Sequence, residues 1–207
     1  MLTACGSSDE PQVAQGCDGA LSSEAVDAAE SVLGTKSFQW DGSGLERTVT
    51  ALIDDQAVPG HAPGTSPMCQ IGTAADDRLG LRIAFRLYDS GDLYDDGTEW
   101  TSRGRYLYGM GREASTDNES ADLFVGCSSP RMKGSEERPA PLQAVLRYEK
   151  TLQGSYPENT PATREAFLTI LHSVTLTVVR ELGCEGDAGL TETPVFTTKA
   201  WRGKQEG

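Results

Sequence analysis

The sequence predicts a single α+β domain, in which an antiparallel sheet of about five strands is packed by an N-terminal helix and a long C-terminal helix. Strict alternation of apolar and polar residues at 79–88 indicates a half-buried strand, and three-four apolar spacing elsewhere indicates amphipathic helices. Four cysteines spread over the chain add two expected disulfides. We assign residues 17–198 to the domain, 1–16 to a flexible tether and 199–207 to a polar tail.

Local signals place the first helix at Ser23–Leu33. Serine hydroxyls at its start suit the N-cap, Glu24 lies at the positive end of the helix dipole, and Gly34 suits the stop. Apolar residues at three-four spacing give this helix one buried face. The same spacing predicts a second, shorter helix over residues 45–53.

The longest predicted helix covers residues 161–182. Thr160 suits the N-cap, and Pro161 occupies the first helical position, where its missing N–H costs nothing. Gly183 suits a left-handed exit, and Cys184 follows in position to join this helix to a strand. Polar residues interrupt its apolar stripe, so the segment falls short of the roughly twenty apolar residues that a membrane span needs.

The clearest strand covers residues 79–88, where one face is expected to be buried and the other wet. An edge strand is expected at residues 194–196, before the polar tail. Weaker alternation predicts four further strands, at residues 68–72, 105–115, 122–127 and 142–150.

The net charge and a short N-terminal motif indicate where the protein is located. The net charge of −13 argues against nucleic acid, whose phosphates need clustered Lys and Arg, and against unaided adsorption to anionic lipids. Residues 2–5, Leu-Thr-Ala-Cys, look like the cleavage and lipidation box of a bacterial lipoprotein, and the polar residues 6–11 suit a tether. We therefore expect a signal sequence before the box and a lipid on Cys5 as the only membrane attachment. The expected location is the outer face of the cytoplasmic membrane, or the exterior as a secreted protein.

The remaining cysteines are Cys17, Cys69, Cys127 and Cys184, an even number that permits three pairings. None belongs to the close C-x-x-C pair that zinc and redox sites require, so structural disulfides are expected. We expect Cys17 to pair with Cys69 and Cys127 with Cys184, each pair joining a helix terminus to a strand.

Three stretches carry a family resemblance. They are Cys17-Asp18-Gly19-Ala20-Leu21 before a helix, Cys69 at the opening of a strand, and Thr160-Pro161-Ala162-Thr163-Arg164-Glu165-Ala166 leading to Glu181-Leu182-Gly183-Cys184. The chain resembles small uncharacterised secreted lipoproteins of actinobacteria, of the Streptomyces type. The resemblance implies a place in the cell envelope and supplies no catalytic residue.

Candidate catalytic groups are few, because the chain contains only two histidines, His61 and His172. His172 lies beside the apolar stripe of the C-terminal helix and is interpreted as a packed or snorkelling residue. His61 lies in a Pro/Gly loop with no evident partner. The G-x-S-x-G, H-E-x-x-H and S-x-x-K signatures are absent, so no catalytic residue and no cofactor is predicted.

An acidic loop after the clearest strand is the one feature that suggests a metal. The candidate ligands for Ca²⁺, which prefers several oxygen ligands from one loop, are Asp92, Asp95 and Asp96. The loop departs from the EF-hand pattern, since Tyr94 and Arg103 occupy two ligand positions. The alternatives are a solvated hairpin loop and paired carboxylates for glycoside hydrolysis.

Aromatic residues follow this loop. A stacking or partner-binding surface is formed by Trp100, Tyr106 and Tyr108 if the two tyrosines share a strand face, and core filling is the alternative.

Three hypotheses of function follow from the sequence. The first is a non-enzymatic, lipid-anchored binding or scaffold protein with an envelope protein or cell-wall ligand as partner. The others are an enzyme acting on wall polymer through the 89–99 carboxylates and a Ca²⁺-dependent interaction module.

Overall fold

The computed structural model describes residues 12–41, 44–58, 64–73, 76–89, 93, 104–152 and 154–200. Within these residues the helices are α1 Ser23–Leu33, α2 Leu45–Ala57 and α3 Pro161–Glu181. The strands are β1 Phe38–Asp41, β2 Ser66–Thr73, β3 Asp76–Leu87, β4 Tyr106–Tyr108, β5 Glu113–Thr116, β6 Ser120–Cys127, β7 Ala140–Glu149 and β8 Thr198–Lys199. Neighbouring strands pair antiparallel in one sheet of order β1-β2-β3-β7-β6-β5-β4-β8.

The α+β class and the antiparallel sheet are confirmed, but the expected count of about five strands is wrong, because the described residues form eight. The additional strands are short: β1 has 4 residues, β4 has 3 and β8 has 2. Alternation needs a run of about four to eight residues before it can be recognised, so these strands leave little signal in the sequence.

The single strand predicted over residues 105–115 is wrong. It is divided into β4 and β5, which form a hairpin in which Tyr108 lies opposite Ala114. Gly111 in the connecting turn has a φ of +60°, and a Cβ there would lie 2.6 Å from the carbonyl oxygen of Phe124. The turn therefore depends on a residue with no side chain and a left-handed backbone.

The edge strand predicted at residues 194–196 is also wrong. The described edge strand is β8, which pairs with β4 a few residues further along the chain. Pro194 has no N–H for a ladder, and Phe196 packs against Tyr108 with ring centroids 6.3 Å apart. Lys199, the first residue of the expected tail, therefore belongs to the sheet.

The helix termini follow the predicted signals. The N–H of Ala25 donates to Oγ of Ser22 at 3.2 Å at the start of α1, whose bounds are those predicted. The N–H of Thr163 donates to Oγ1 of Thr160 at 3.1 Å at the start of α3. α3 ends at Glu181, one residue before the predicted end.

The helices cover one face of the sheet. α3 packs against β5, β6 and β7, α1 packs against α3, and α2 packs against β2 and β3. The start of α2 lies directly on β2, because a Cβ at Gly44 would lie 1.8 Å from the carbonyl oxygen of Met68. The core between these layers includes Phe85, Leu123 and Phe167, all with no exposed surface.

Two disulfides connect the layers in the expected pairing. Cys17 is bonded to Cys69 with 5.3 Å between Cα atoms, and Cys127 to Cys184 with 5.0 Å. The second joins the end of β6 to the residue that follows the exit from α3, as expected. The first joins β2 to the Gln12–Gly19 segment, which precedes α1 rather than forming its terminus.

The sheet face opposite the helices is not uniformly wet, contrary to expectation. Across β3, β7 and β6, Nε of Arg86 donates to Oε1 of Gln143 at 2.5 Å, and Nε2 of Gln143 donates to Oδ1 of Asp122 at 2.9 Å. Nη2 of Arg105 donates to the other oxygen of Asp122 at 2.6 Å. Asp122 is 1 % exposed and Gln143 is 5 % exposed. This buried polar chain lets polar residues occupy the face without unsatisfied groups.

Candidate functional site

A cleft of about 440 Å³ lies between the start of α1, one side of α3 and the chain that follows α3. Its lining from α3 consists of residues at three-four spacing, which places them on one side of the helix. These residues are Thr169, His172, Ser173, Leu176, Thr177 and Arg180. All of them except Leu176 are polar and interrupt the apolar pattern of α3 in the sequence.

Ser173 fixes the start of α1 against α3. The N–H of Ser22 donates to Oγ of Ser173 at 2.8 Å, and Oγ of Ser173 donates to the carbonyl oxygen of Ala20 at 2.9 Å. One hydroxyl thus serves two backbone groups of the turn before α1. The wall formed by residues 19–24 is held in place by this contact.

Arg180 holds the opposite wall, formed by residues 192–194. Its guanidinium donates to the carboxylates of Asp187 and Glu192, with 2.8 Å between Nη2 and Oδ2 of Asp187. The hydrogen bond from Arg180 holds the pKa of Asp187 below its usual value. Leu190, between the two carboxylates in sequence, is 7 % exposed and packs into the core. The segment after α3 is therefore attached by an apolar contact and by charge.

His172 is the buried titratable group of the cleft, with 2 % of its surface exposed. Burial lowers its pKa below the usual 6.5, and a hydrogen bond with the Thr191 backbone opposes this shift only in part. At about pH 7 the imidazole is therefore neutral.

Nε2 of His172 is one of two buried side-chain polar atoms that lack a hydrogen-bond partner among the described residues. The other is Nε of Arg164, whose guanidinium donates to Asn159 and lies 3.6 Å from the ring centroid of Tyr106. A neutral imidazole has one nitrogen that accepts a hydrogen bond, and no partner among the described residues holds Nε2 as the donor, so Nε2 is open to a donor from a ligand.

Of the aromatic residues considered as a binding surface, the structure describes Tyr106 and Tyr108. Tyr106 and Tyr108 share a face of β4, but this is the face that the helices cover. Tyr106 is 45 % exposed and lies under Arg164, whereas Tyr108 is 2 % exposed and belongs to the core. Core filling is thus the correct interpretation for Tyr108. The other predicted site residues, Cys5, His61, Asp92, Asp95, Asp96 and Trp100, lie outside the described residues.

Two other features compete with the cleft. A wider, more open groove of about 1100 Å³ runs along α2, but its described polar lining contains no buried atom without a partner. The buried polar chain on the far face of the sheet is internally hydrogen bonded. Among the described residues no group of three His, Cys, Asp or Glu side chains is arranged to hold a metal ion.

The sequence pattern led us to interpret His172 as a packed or snorkelling residue and did not indicate the cleft. The polar residues of α3 at three-four spacing were the available signal. Their partners at the start of α1 are about 150 residues away in sequence, for example at a separation of 151 between Ser22 and Ser173. No known protein family, curated protein or solved structure matches the chain.

Proposed function

We propose that the chain is a non-enzymatic binding protein of the cell envelope, held on the outer face of the cytoplasmic membrane by a lipid on Cys5. Its ligand is a component of the cell wall, bound in the cleft beside α3. The observation that carries this proposal is the buried, unpartnered Nε2 of His172 in a cleft with polar walls. Concave sites with a few converging polar groups are the usual form of a ligand site.

The extracytoplasmic part of the proposal is supported by the covalent structure. Two disulfides are typical of proteins that fold in an oxidising environment outside the cytoplasm. No helix among the described residues is long and apolar enough to cross a membrane. A lipid on Cys5 is supported by residues 2–5 and by the polar residues that follow them.

Binding is favoured over catalysis by the hydrogen bonds of the cleft. A nucleophilic hydroxyl needs a base within hydrogen-bonding reach. Ser173 instead donates to the carbonyl oxygen of Ala20, and Thr177 to that of Ser173 at 3.3 Å. The enzymatic alternative depends on the carboxylates of the 89–99 loop and the Ca²⁺-dependent one on Asp92, Asp95 and Asp96 of the same loop, and no described contact favours either.

Co-sedimentation with purified insoluble cell wall tests the proposal. We expect the wild-type protein to pellet with the wall and to release no soluble fragments. Thr177→Trp, which puts an indole into the cleft, should abolish pelleting, whereas Thr50→Trp on the exposed side of α2 should not. Equal pelleting of the two variants, or no binding by the wild type, would contradict the proposed site.

A separate fractionation tests the anchor. With a signal sequence placed before residue 1, we expect the protein to enter the membrane fraction and the detergent phase, because two acyl chains are sufficient for stable anchoring. Cys5→Ala should then be recovered in the soluble fraction with an unchanged melting temperature. Recovery of that variant in the membrane would overturn the proposed lipid attachment.

A further inference from the structure

The hydroxyl groups that α3 brings to the cleft already donate hydrogen bonds to backbone carbonyl oxygens. Oγ1 of Thr169 donates to the carbonyl oxygen of Glu165 at 2.8 Å, and Thr177 and Ser173 donate to carbonyl oxygens as described above. A hydroxyl has one proton and two lone pairs. What these three side chains retain for a ligand is therefore acceptor capacity.

His172 adds a further acceptor. Its ring is buried, and burial keeps it neutral at about pH 7. Nε2 is without a partner among the described residues, and a neutral imidazole has one nitrogen that accepts. A buried acceptor left unsatisfied is unfavourable, so a ligand that donates a hydrogen bond to it gains affinity.

The charges of the cleft also favour a ligand that donates hydrogen bonds and carries positive charge. Glu24 and Glu192 line it, and hydrogen bonds from the Glu24 backbone and from Ser22 hold the pKa of Glu24 below its usual value. Arg180 is the sole cation in the described lining, and it is paired with the carboxylates of Asp187 and Glu192. The described lining thus carries two carboxylates and one guanidinium, so its net charge is negative.

The positive end of the α1 dipole does not reverse this balance. The N–H of Ala25 donates to Ser22, the N–H of Ser22 donates to Ser173, and the carboxylate of Glu24 accepts from its own backbone. These groups are therefore occupied within the protein. Apolar contact with a ligand is available from Leu176 and Pro194, which also line the cleft.

We propose that the cleft binds a small ligand with a protonated primary amine on an aliphatic chain, which rests on the cleft being the ligand site proposed above. An ammonium group has three donors and no acceptor, which complements a wall of hydroxyl, imidazole and carboxylate acceptors. Its charge offsets the carboxylates, and its methylene groups pack against the apolar part of the lining.

Calorimetric titration at about pH 7 with three probes of similar length tests this proposal. Cadaverine carries two primary amines, which are protonated at this pH as a lysine side chain is. 1,5-Pentanediol is its neutral analogue, and glutarate is an anionic one. We expect saturable binding of cadaverine, weakened by added salt, at least about tenfold weaker binding of the diol, equivalent to about 1.4 kcal/mol, and none of glutarate.

Matched variants locate the binding. Glu24→Gln and Glu192→Gln keep a side chain of the same shape but remove one negative charge each, and each should weaken cadaverine binding about tenfold, a loss of about 1.4 kcal/mol. Glu158→Gln, an exposed residue before α3, should leave it unchanged. Melting temperatures of all variants show whether they are folded.

The outcomes separate this inference from the proposed function. Stronger binding of the diol or glutarate than of cadaverine would overturn the amine ligand and leave the cleft as a binding site. No binding of cadaverine, while Thr177→Trp still abolishes pelleting with cell wall, would do the same. Failure of both the probes and the cell wall to bind would overturn both proposals.

Discussion

At the residue scale, the buried imidazole of His172 makes stability depend on pH. Its pKa is lowered in the folded protein, chiefly by burial, whereas in the unfolded chain it is close to 6.5. Below about pH 6.5 the unfolded chain therefore binds more protons than the folded one, so the free energy of unfolding falls with falling pH. At about pH 7 the ring is neutral in the native state, so the free energy of unfolding is not reduced in this way.

We predict that urea unfolding between about pH 7 and pH 5 shows this loss of stability in the wild type and a flatter profile in His172→Gln. His61→Gln is the matched control, because it removes the other histidine of the chain. It should keep the wild-type profile. A slope that persists in His172→Gln and disappears in His61→Gln would contradict the assignment.

A second residue-scale prediction concerns the buried polar chain. Arg105 and Asp122 form an ion pair at 2.6 Å with side-chain exposures of 9 % and 1 %. Asp122→Ala leaves a buried guanidinium with one carboxylate fewer, so we expect a loss of about 3–5 kcal/mol in the free energy of unfolding. Chemical denaturation measures it.

The control is an exposed ion pair on the same sheet. Arg82 and Glu149 lie 3.0 Å apart with side-chain exposures of 54 % and 32 %. Glu149→Ala should cost no more than about 1 kcal/mol, because solvent screens the pair. Equal losses in Asp122→Ala and Glu149→Ala would show that burial does not decide the strength of these pairs.

At the element scale, the helices could be predicted because their signals are local. Ser22, Thr160 and Pro161 identify the starts of α1 and α3 within the sequence itself. The hairpin of β4 and β5 could not be predicted, because the sequence does not show that the backbone of Phe124 lies against Gly111. Likewise, Asp122 and Gln143 look solvated until their strands are paired.

The N-cap of α3 gives the prediction at this scale. Thr160→Ala removes the oxygen that accepts from the N–H of Thr163, and it should lower the free energy of unfolding by about 0.5–2 kcal/mol. Thr160→Ser keeps an acceptor at the same position and should cost much less. Thermal unfolding of the pair provides the comparison, and equal destabilisation would argue against a capping role.

At the scale of the whole molecule, the disulfides attach both ends of the domain to the sheet. The Cys127–Cys184 bond closes a loop with a sequence separation of 57, and the Cys17–Cys69 bond one of 52. Cross-links of this span restrict the unfolded chain, and loss of one costs about 2–5 kcal/mol. The segment after α3, which forms one wall of the cleft, begins at the second bond.

We predict that non-reducing peptide mapping recovers Cys17–Cys69 and Cys127–Cys184 peptides. Cys184→Ser should lower the free energy of unfolding by about 2–5 kcal/mol and leave Cys127 as the one new free thiol. A Cys17–Cys127 or Cys17–Cys184 peptide would contradict the fold, because it would join different elements. Free thiols at all four positions in oxidised material would remove the argument for an extracytoplasmic location.

The net charge of −13 acts over the whole surface and favours the approach of cations to the acidic cleft. This contribution is long-ranged and weakens as salt screens it. The local acceptors of α3 then decide whether a cation with donor groups is retained.

An NMR titration of the intact, oxidised protein with cadaverine tests the central claim most directly, since it reports where the ligand binds. We predict that the largest shifts occur at the amides of Ser22, Ser173, Thr177 and Thr193 and at Nε2 of His172, which should move as it accepts a hydrogen bond. Shifts concentrated along α2, at Glu46, Thr50 and Asp54, would place the ligand in the other groove. Shifts there, or none at His172, would contradict the assignment of the cleft as the binding site.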